Sequence, residues 1–194
     1  LLPIAAFMVF LSGLGLEPLP SSVVSKLSDG ISPSGGALAQ FFGGLAIGIG
    51  TTLLFHCDLV YASRDCFLQM PFTRLGLCPE AGSSYLLPRQ IGHQRASEML
   101  LLGERMSAEQ ACQYGVVNAV FEQQDYLRLA LEKAQQLAAL PADSVQTSKR
   151  LIKKASPEAT RTVITDELVE FQRLLETPEA QAIVQAFLAK SAAK

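Results

Sequence analysis

The sequence has no CxxC pair. Its four cysteines, Cys57, Cys66, Cys78 and Cys112, stand apart, and its two histidines, His56 and His93, lack the spacing of zinc ligands. No metal site is expected, and a reduced intracellular chain is the simplest account. An excess of one charge is missing as well. Sixteen Lys and Arg face 18 Asp and Glu, a formal net charge of -2, which leaves no electrostatic footprint for nucleic acid. The single basic cluster, "KRLIKK" at residues 149 to 154, reads as a solvated helix face, with an anion site as the alternative. A membrane span is also lacking. The longest apolar opening, "LLPIAAFMVFLSGLGL" at residues 1 to 16, falls short of the roughly 20 apolar residues a span needs and is broken by Pro3, Gly13 and Gly15. No Lys or Arg precedes it, so a signal peptide is not expected either. It reads instead as a buried strand or helix of an incomplete N-terminal part.

What is present is apolar and orderly. Of the 194 residues 49% are hydrophobic, enough for one well-buried domain and too few for two large ones. Residues 12 to 42 are rich in Gly, Ser and Pro and read as loops. From about residue 43 elements become legible. "GLAIGIGTTLLFHC" opens on a glycine turn and runs into a buried helix, while "DLVYAS" and "CFLQM" read as short buried strands. "GHQRASEMLLLGERM" predicts a helix closed by a left-handed Gly103. The next helix opens with Ser107 and Gln110 as a capping box and ends at Gly115, and "VVNAVF" follows as a strand. An amphipathic helix places Leu127, Ala130, Leu131, Ala134, Leu137 and Ala138 on one face and ends at Pro141. Later faces are Ile164, Leu168, Phe171, Leu175 and, after Pro178, Ile183, Val184, Phe187, Leu188. This alternation argues for the α/β class, and the absence of a self-similar period argues against a solenoid.

Two stretches carry chemistry. "GGLAIGIG" lacks the third glycine and the distant acid of a dinucleotide fingerprint, and it has no phosphate-cradling lysine. A glycine turn that opens a helix also presents backbone N–H groups at the positive end of the helix dipole, where they stabilise a developing negative oxygen; packing glycines are the bland alternative. The second stretch, "MPFTRLGLCPEAGSSY" at residues 70 to 85, holds one acid, Glu80, among small residues that are not expected to build a helix, in a loop stiffened by Pro71 and Pro88. An apolar wall disfavours its charged form and raises its pKa towards that of a proton acceptor and donor. The alternative is an ordinary solvated loop acid.

Together, "GLAIGIGTTLLFHCDLVYAS", "PFTRLGLCPEAGSSYLLPRQIG" and "ASEMLLLGERMSAEQACQYGVVNAVF" resemble the crotonase (enoyl-CoA hydratase/isomerase) superfamily over residues 43 to about 190. The resemblance implies a ββα spiral, with residues 1–42 an incomplete N-terminal part, 43–140 the core with oxyanion turn and catalytic loop, and 141–194 a helical C-terminal region. It implies an acyl-CoA thioester as ligand, no cofactor beyond the substrate's own coenzyme A, and assembly as a homotrimer or dimer of trimers. Thr52 and Phe72 stand where the family's hydratases carry two glutamates, so hydration is not expected. Glu80 matches the single glutamate of peroxisomal-type Δ3,Δ2-enoyl-CoA isomerases, which serve β-oxidation of unsaturated fatty acids. By the same match Ile49 N–H is an oxyanion donor, and Ala46, Gly48, Thr52, Phe72, Leu75 and Lys190 bind substrate, Lys190 at the coenzyme A phosphate. Upstream the match weakens. No Ala-Gly-x-Asp-like donor stretch occurs in residues 1 to 42, and the strand that should precede the glycine turn is expected to be missing, because "ALAQFF" runs straight into "GGLAIG". The alternative is a non-catalytic acyl-CoA-binding or scaffold member, as in chromodomain Y-like relatives, which lack the loop glutamate. The tail "AKSAAK" has no SKL-type signal, so a cytoplasmic location is expected.

Overall fold

The computed structural model describes residues 45–154 and 157–192. The elements expected over residues 1 to 16 and 12 to 42 lie outside the described residues.

Three very short strands form the floor of the site. Strand β1 (Leu45–Ile47) pairs in parallel with β3 (Phe67–Gln69), and β3 pairs antiparallel with β4 (Arg105–Ser107). In this register Ala46, Leu68 and Met106 lie in one row, and all three are buried. A separate parallel pair joins β2 (Tyr61–Ser63) to β5 (Ala119–Phe121), where Tyr61 stacks on Phe121. The strand expected to be missing before the glycine turn is thus present as "LAI" within "GGLAIG" itself. Three residues suffice because β3 supplies the partner for its backbone.

Gly48, at φ 58°, breaks β1 and starts the short helix α1 (Ile49–Thr52), which tightens into a 3-10 turn over Leu53–His56. The expected single buried helix is therefore one α turn and one 3-10 turn, and only its first turn is buried. Thr51 locks the junction. Its buried hydroxyl donates to the Ala46 carbonyl and accepts from the Gln69 N–H, while Gly48 N–H donates to Gln69 O at 2.8 Å.

Beyond β3 a 3-10 turn (Thr73–Leu75) leads to helix α2 (Ser83–Ile91), then α3 (His93–Leu101). The expected loop through residue 85 is therefore shorter, and Pro88 lies inside α2 rather than in the loop. Gly103 is left-handed, as expected, and strand β4 begins two residues beyond it at Arg105. Helix α4 (Ala108–Gln113) has the expected capping box: Ser107 N–H donates to Gln110 Oε1 at 2.9 Å and Gln110 N–H to Ser107 Oγ at 3.2 Å. One cluster around Leu68, Met70, Leu87, Ile91, Met99 and Met106 forms the core.

Four helices complete the chain: α5 (Tyr126–Ala138), α6 (Ala142–Lys153), α7 (Pro157–Leu175) and α8 (Pro178–Ala192). The apolar face expected on α5 is not buried within this chain; Leu127 and Leu137 are exposed, and neither α5 nor α6 has a buried residue. The face expected on α7 is shifted. Leu168 and Leu175 are exposed, and the inward stripe is Thr160, Ile164, Glu167, Phe171 and Leu174. Its 4-3-4-3 spacing is helical, but two of its five members are polar. On α8 only Ile183 of the expected face can be described; the side chains of Val184, Phe187 and Leu188 lie outside the described residues.

Candidate active site

The glycine turn and the loop after the second 3-10 turn converge. Ile49 opens α1; the N–H groups of Thr51 and Thr52 meet the Gly48 carbonyl at 2.9 and 3.1 Å, whereas the first N–H groups of a helix, here those of Ile49 and Gly50, have no carbonyl of a preceding turn to meet. Its side chain is 55% exposed, so this edge of the turn faces outward. Gly48 lies beside Phe72, because a Cβ added there would sit 3.9 Å from the Phe72 ring. Phe72 is buried and meets Phe171 of α7 edge to face.

Glu80 is half-buried and reaches α1. Thr52, fully buried, donates its hydroxyl proton to Glu80 Oε1 at 2.5 Å. The same hydroxyl lies 3.3 Å from the Ile49 carbonyl, so its one proton has two possible acceptors. Burial pushes the Glu80 carboxyl above its ordinary range, the Thr52 hydrogen bond opposes this, and the negative charge of Glu167 adds to the rise. Thr52, expected only to border the substrate, is thus also the direct partner of Glu80.

The backbone around Glu80 is unusual. Ala81 is left-handed at φ 55°, as is Gly82 at φ 74°. A non-glycine residue held there needs support. It comes from two sides. His56 Nε2 lies 2.6 Å from the Ala81 carbonyl, which can only accept, so this nitrogen carries the proton. Burial holds the imidazole pKa below its usual value, although the Ala81 hydrogen bond opposes this. From α7, the buried Glu167 carboxylate accepts from Gly82 N–H at 2.5 Å, Ser84 N–H at 3.0 Å and Ser84 Oγ at 2.5 Å.

The other expected site residues fall as follows. Ala46 is buried in β1 and its carbonyl accepts from Thr51, so it supports the turn from beneath. Leu75 is partly buried against the core. The side chain of Lys190 lies outside the described residues. In the basic cluster, Lys149 and Lys153 both pair with Asp58, at 2.6 and 2.9 Å, which corrects the solvated-face expectation for those two. Burial would raise the Asp58 carboxyl, but hydrogen bonds from Lys149 and Lys153 hold it below its usual value. Among the described residues no cluster of His, Cys, Asp and Glu could hold a metal, and no helix is long and apolar enough to cross a membrane.

A family model described as enoyl-CoA hydratase/isomerase matches residues 37–194. The chain belongs to that family. Among curated relatives, enoyl-CoA delta isomerase 2 of Rattus norvegicus is 33% identical over 153 residues, 79% of this chain and 39% of that protein. The 1,2-epoxyphenylacetyl-CoA isomerase of Escherichia coli K12 is 36% identical over 148 residues, 76% of this chain and 56% of that protein. The chain therefore spans between about two fifths and three fifths of these relatives. Among solved structures, an enoyl-CoA hydratase/isomerase from Pseudoalteromonas atlantica T6c is similar with a TM-score of 0.73 and 40% identity, covering 76% of this chain and 60% of that one. The fold is crotonase-like α/β with a helical C-terminal region.

Sequence reasoning missed His56 and Glu167. His56 was weighed only as a metal ligand. Glu167 interrupts an apolar stripe, and its signal was the 4-3-4-3 spacing from Thr160 to Leu174, which runs through it.

Proposed function

We propose that the protein moves the double bond of a 3-enoyl-CoA thioester to the trans-2 position. The observation that carries this reading is the Glu80 carboxyl, half-buried, raised in pKa and hydrogen-bonded to the helix that begins with Ile49. Glu80 removes a proton from C2, the electron pair shifts into the thioester carbonyl, and Ile49 N–H stabilises the enolate oxygen. The enolate collapses as Glu80 returns the proton to C4, leaving the double bond between C2 and C3. While Glu80 is ionised, Thr52 donates to it; once Glu80 holds the proton, the Thr52 hydroxyl can turn to the Ile49 carbonyl.

Hydration would need a second acid–base group on a water. Thr52 and Phe72 supply none, and Glu167 is already engaged by three donors. We further propose coenzyme A as the carrier portion of the substrate with no separate cofactor, Lys190 at its phosphate, action in fatty acid β-oxidation, a cytoplasmic location, and a homotrimer or dimer of trimers.

Glu80→Gln tests the reaction. Turnover should fall by orders of magnitude while acyl-CoA binding and the circular dichroism spectrum stay as in the wild type. Near-normal turnover would reject the mechanism. Saturable thioester binding by the wild type, without proton exchange at C2 in deuterated water, would favour a non-catalytic acyl-CoA-binding protein.

A further inference from the structure

The stripe on α7 places a buried acid where apolar side chains are expected, and the donors it meets are the backbone of the Glu80 loop. We propose that Glu167 is a positioning residue for Glu80: it holds the left-handed segment from Ala81 to Ser84 and so fixes where the Glu80 carboxylate stands. The inference rests on the reading of Glu80 as the proton shuttle.

Three observations carry it. Glu167 accepts from Gly82 N–H and from both the N–H and Oγ of Ser84, so one carboxylate grips residues two and four places beyond Glu80. Gly82 also packs against α7: a Cβ there would meet Ile164 Cγ1 and Thr160 Cγ2, each at 3.3 Å, so loop and helix also touch along the turns that precede the carboxylate. Finally, Ala81 sits in a conformation that non-glycine residues rarely adopt, which requires restraint from its surroundings. Left unpaired, a buried carboxylate would be costly; here the loop supplies its partners, and it in turn supplies the loop's.

The charged groups around the loop come from three elements. Glu167 comes from α7, with Glu170 and Arg173 on the same helix towards Cys78. His56 comes from the 3-10 turn and touches Ala81. Lys153 of α6 donates to the His56 carbonyl at 2.8 Å and pairs with Asp58. Of these, Glu167 acts on the Glu80 carboxyl through its charge, raising it. Two consequences separate positioning from mere stability: geometry, which sets turnover, and charge, which adds, after burial and the Thr52 hydrogen bond, to the pH at which Glu80 ionises.

The test uses the full chain and three variants. Glu167→Gln keeps the shape but removes the charge and mismatches donors, so kcat should fall about tenfold to a hundredfold with little change in KM, as expected for a misplaced reacting group. Its acid limb should move to lower pH, because a negative neighbour has gone. Glu167→Asp retains the charge but draws it back, so kcat should fall while the acid limb stays. Ser84→Ala removes one hydrogen bond and no charge, and should behave like a milder Glu167→Asp. If Glu167→Gln does not fold, the other two carry the test, and an unchanged kcat in Glu167→Asp overturns the proposal. An activity-independent readout is the titration of the Glu80 carboxyl by carbon-13 NMR in wild type and Glu167→Gln. A shift to lower pH supports the proposal, and superimposed curves overturn it. Should Glu80→Gln retain turnover, the proposed reaction falls, while this titration still decides the role of Glu167.

Discussion

Residues 45–121 bury a core of large apolar side chains, and the segment from α5 through α6 buries none. In the first region Leu68, Met70 and Leu87 are fully buried, and the site is built directly on them. In the second, Leu127 and Leu137 of α5, Leu140 of the connection, and Leu151 and Ile152 of α6 are exposed, Ile152 by 80%. Both regions have apolar residues at helical or strand spacing, so pattern alone does not distinguish them. What does is whether the described residues provide the opposing surface. Residues 45–121 enclose a common core, though Ile49, Leu59, Leu101 and Leu102 stay exposed, whereas α5 and α6 bury no residue against the other described elements, which supports the proposal that further copies cover them.

The contrast can be broken by mutation. Leu87→Ala should destabilise the fold by about 2–5 kcal/mol in chemical denaturation, since it leaves a cavity in the core. Gly82→Ala should cost about 1–3 kcal/mol, because it forces a Cβ into a left-handed residue against Thr160 and Ile164, and turnover should fall with it. Ile152→Ala should change stability by no more than about 0.5 kcal/mol in a single chain. A cost comparable to that of Leu87→Ala would show that α6 is covered in solution, and sedimentation of the same sample would then report an assembly.

The smallest effect has an informative sign. Burial disfavours the ionised Glu80, so the folded-state pKa lies above the unfolded one. The wild type therefore carries a penalty at neutral pH that is relieved as pH falls through the folded pKa. Glu80→Gln should melt slightly higher than the wild type at neutral pH, with the difference closing on acidification. A lower melting temperature for the variant at pH 7 would mean that the Thr52 hydrogen bond outweighs burial.

Much of the site was legible because glycines and caps mark backbone geometry, whereas Pro88, expected in the loop, lies inside α2. Gly48 and Gly103 sit at positive φ where the sequence places turns, and Ser107 with Gln110 forms its box. Gly48, Ile49, Thr52, Phe72 and Glu80 all fall around one turn and one loop. Less legible were features whose cause lies far along the chain. Strand β1 is three residues long and exists through its pairing with β3. Helix α2 begins at Ser83, in a run read as loop, because a carboxylate 83 residues away accepts the Ser84 N–H. The α7 face was misread for a related reason: Leu168 is the more hydrophobic neighbour, yet Glu167 points inward to meet donors that the local sequence does not reveal.

One feature of α6 reaches further than its own helix. Having no buried residue, α6 is moored to the body of the chain through Asp58, which Lys149 and Lys153 both grip, and Lys153 also holds the carbonyl of His56. His56 in turn braces Ala81, the residue next to Glu80. Ionic strength therefore has a route into the chemistry. In molar salt the screening length shrinks to about 3 Å, and this mooring, with side chains 19% to 35% exposed, is weakened in part while the apolar core is not. For the proposed reaction the expected outcome is a lower turnover in molar salt at an unchanged circular dichroism spectrum, as the brace behind Glu80 slackens while the fold stays intact.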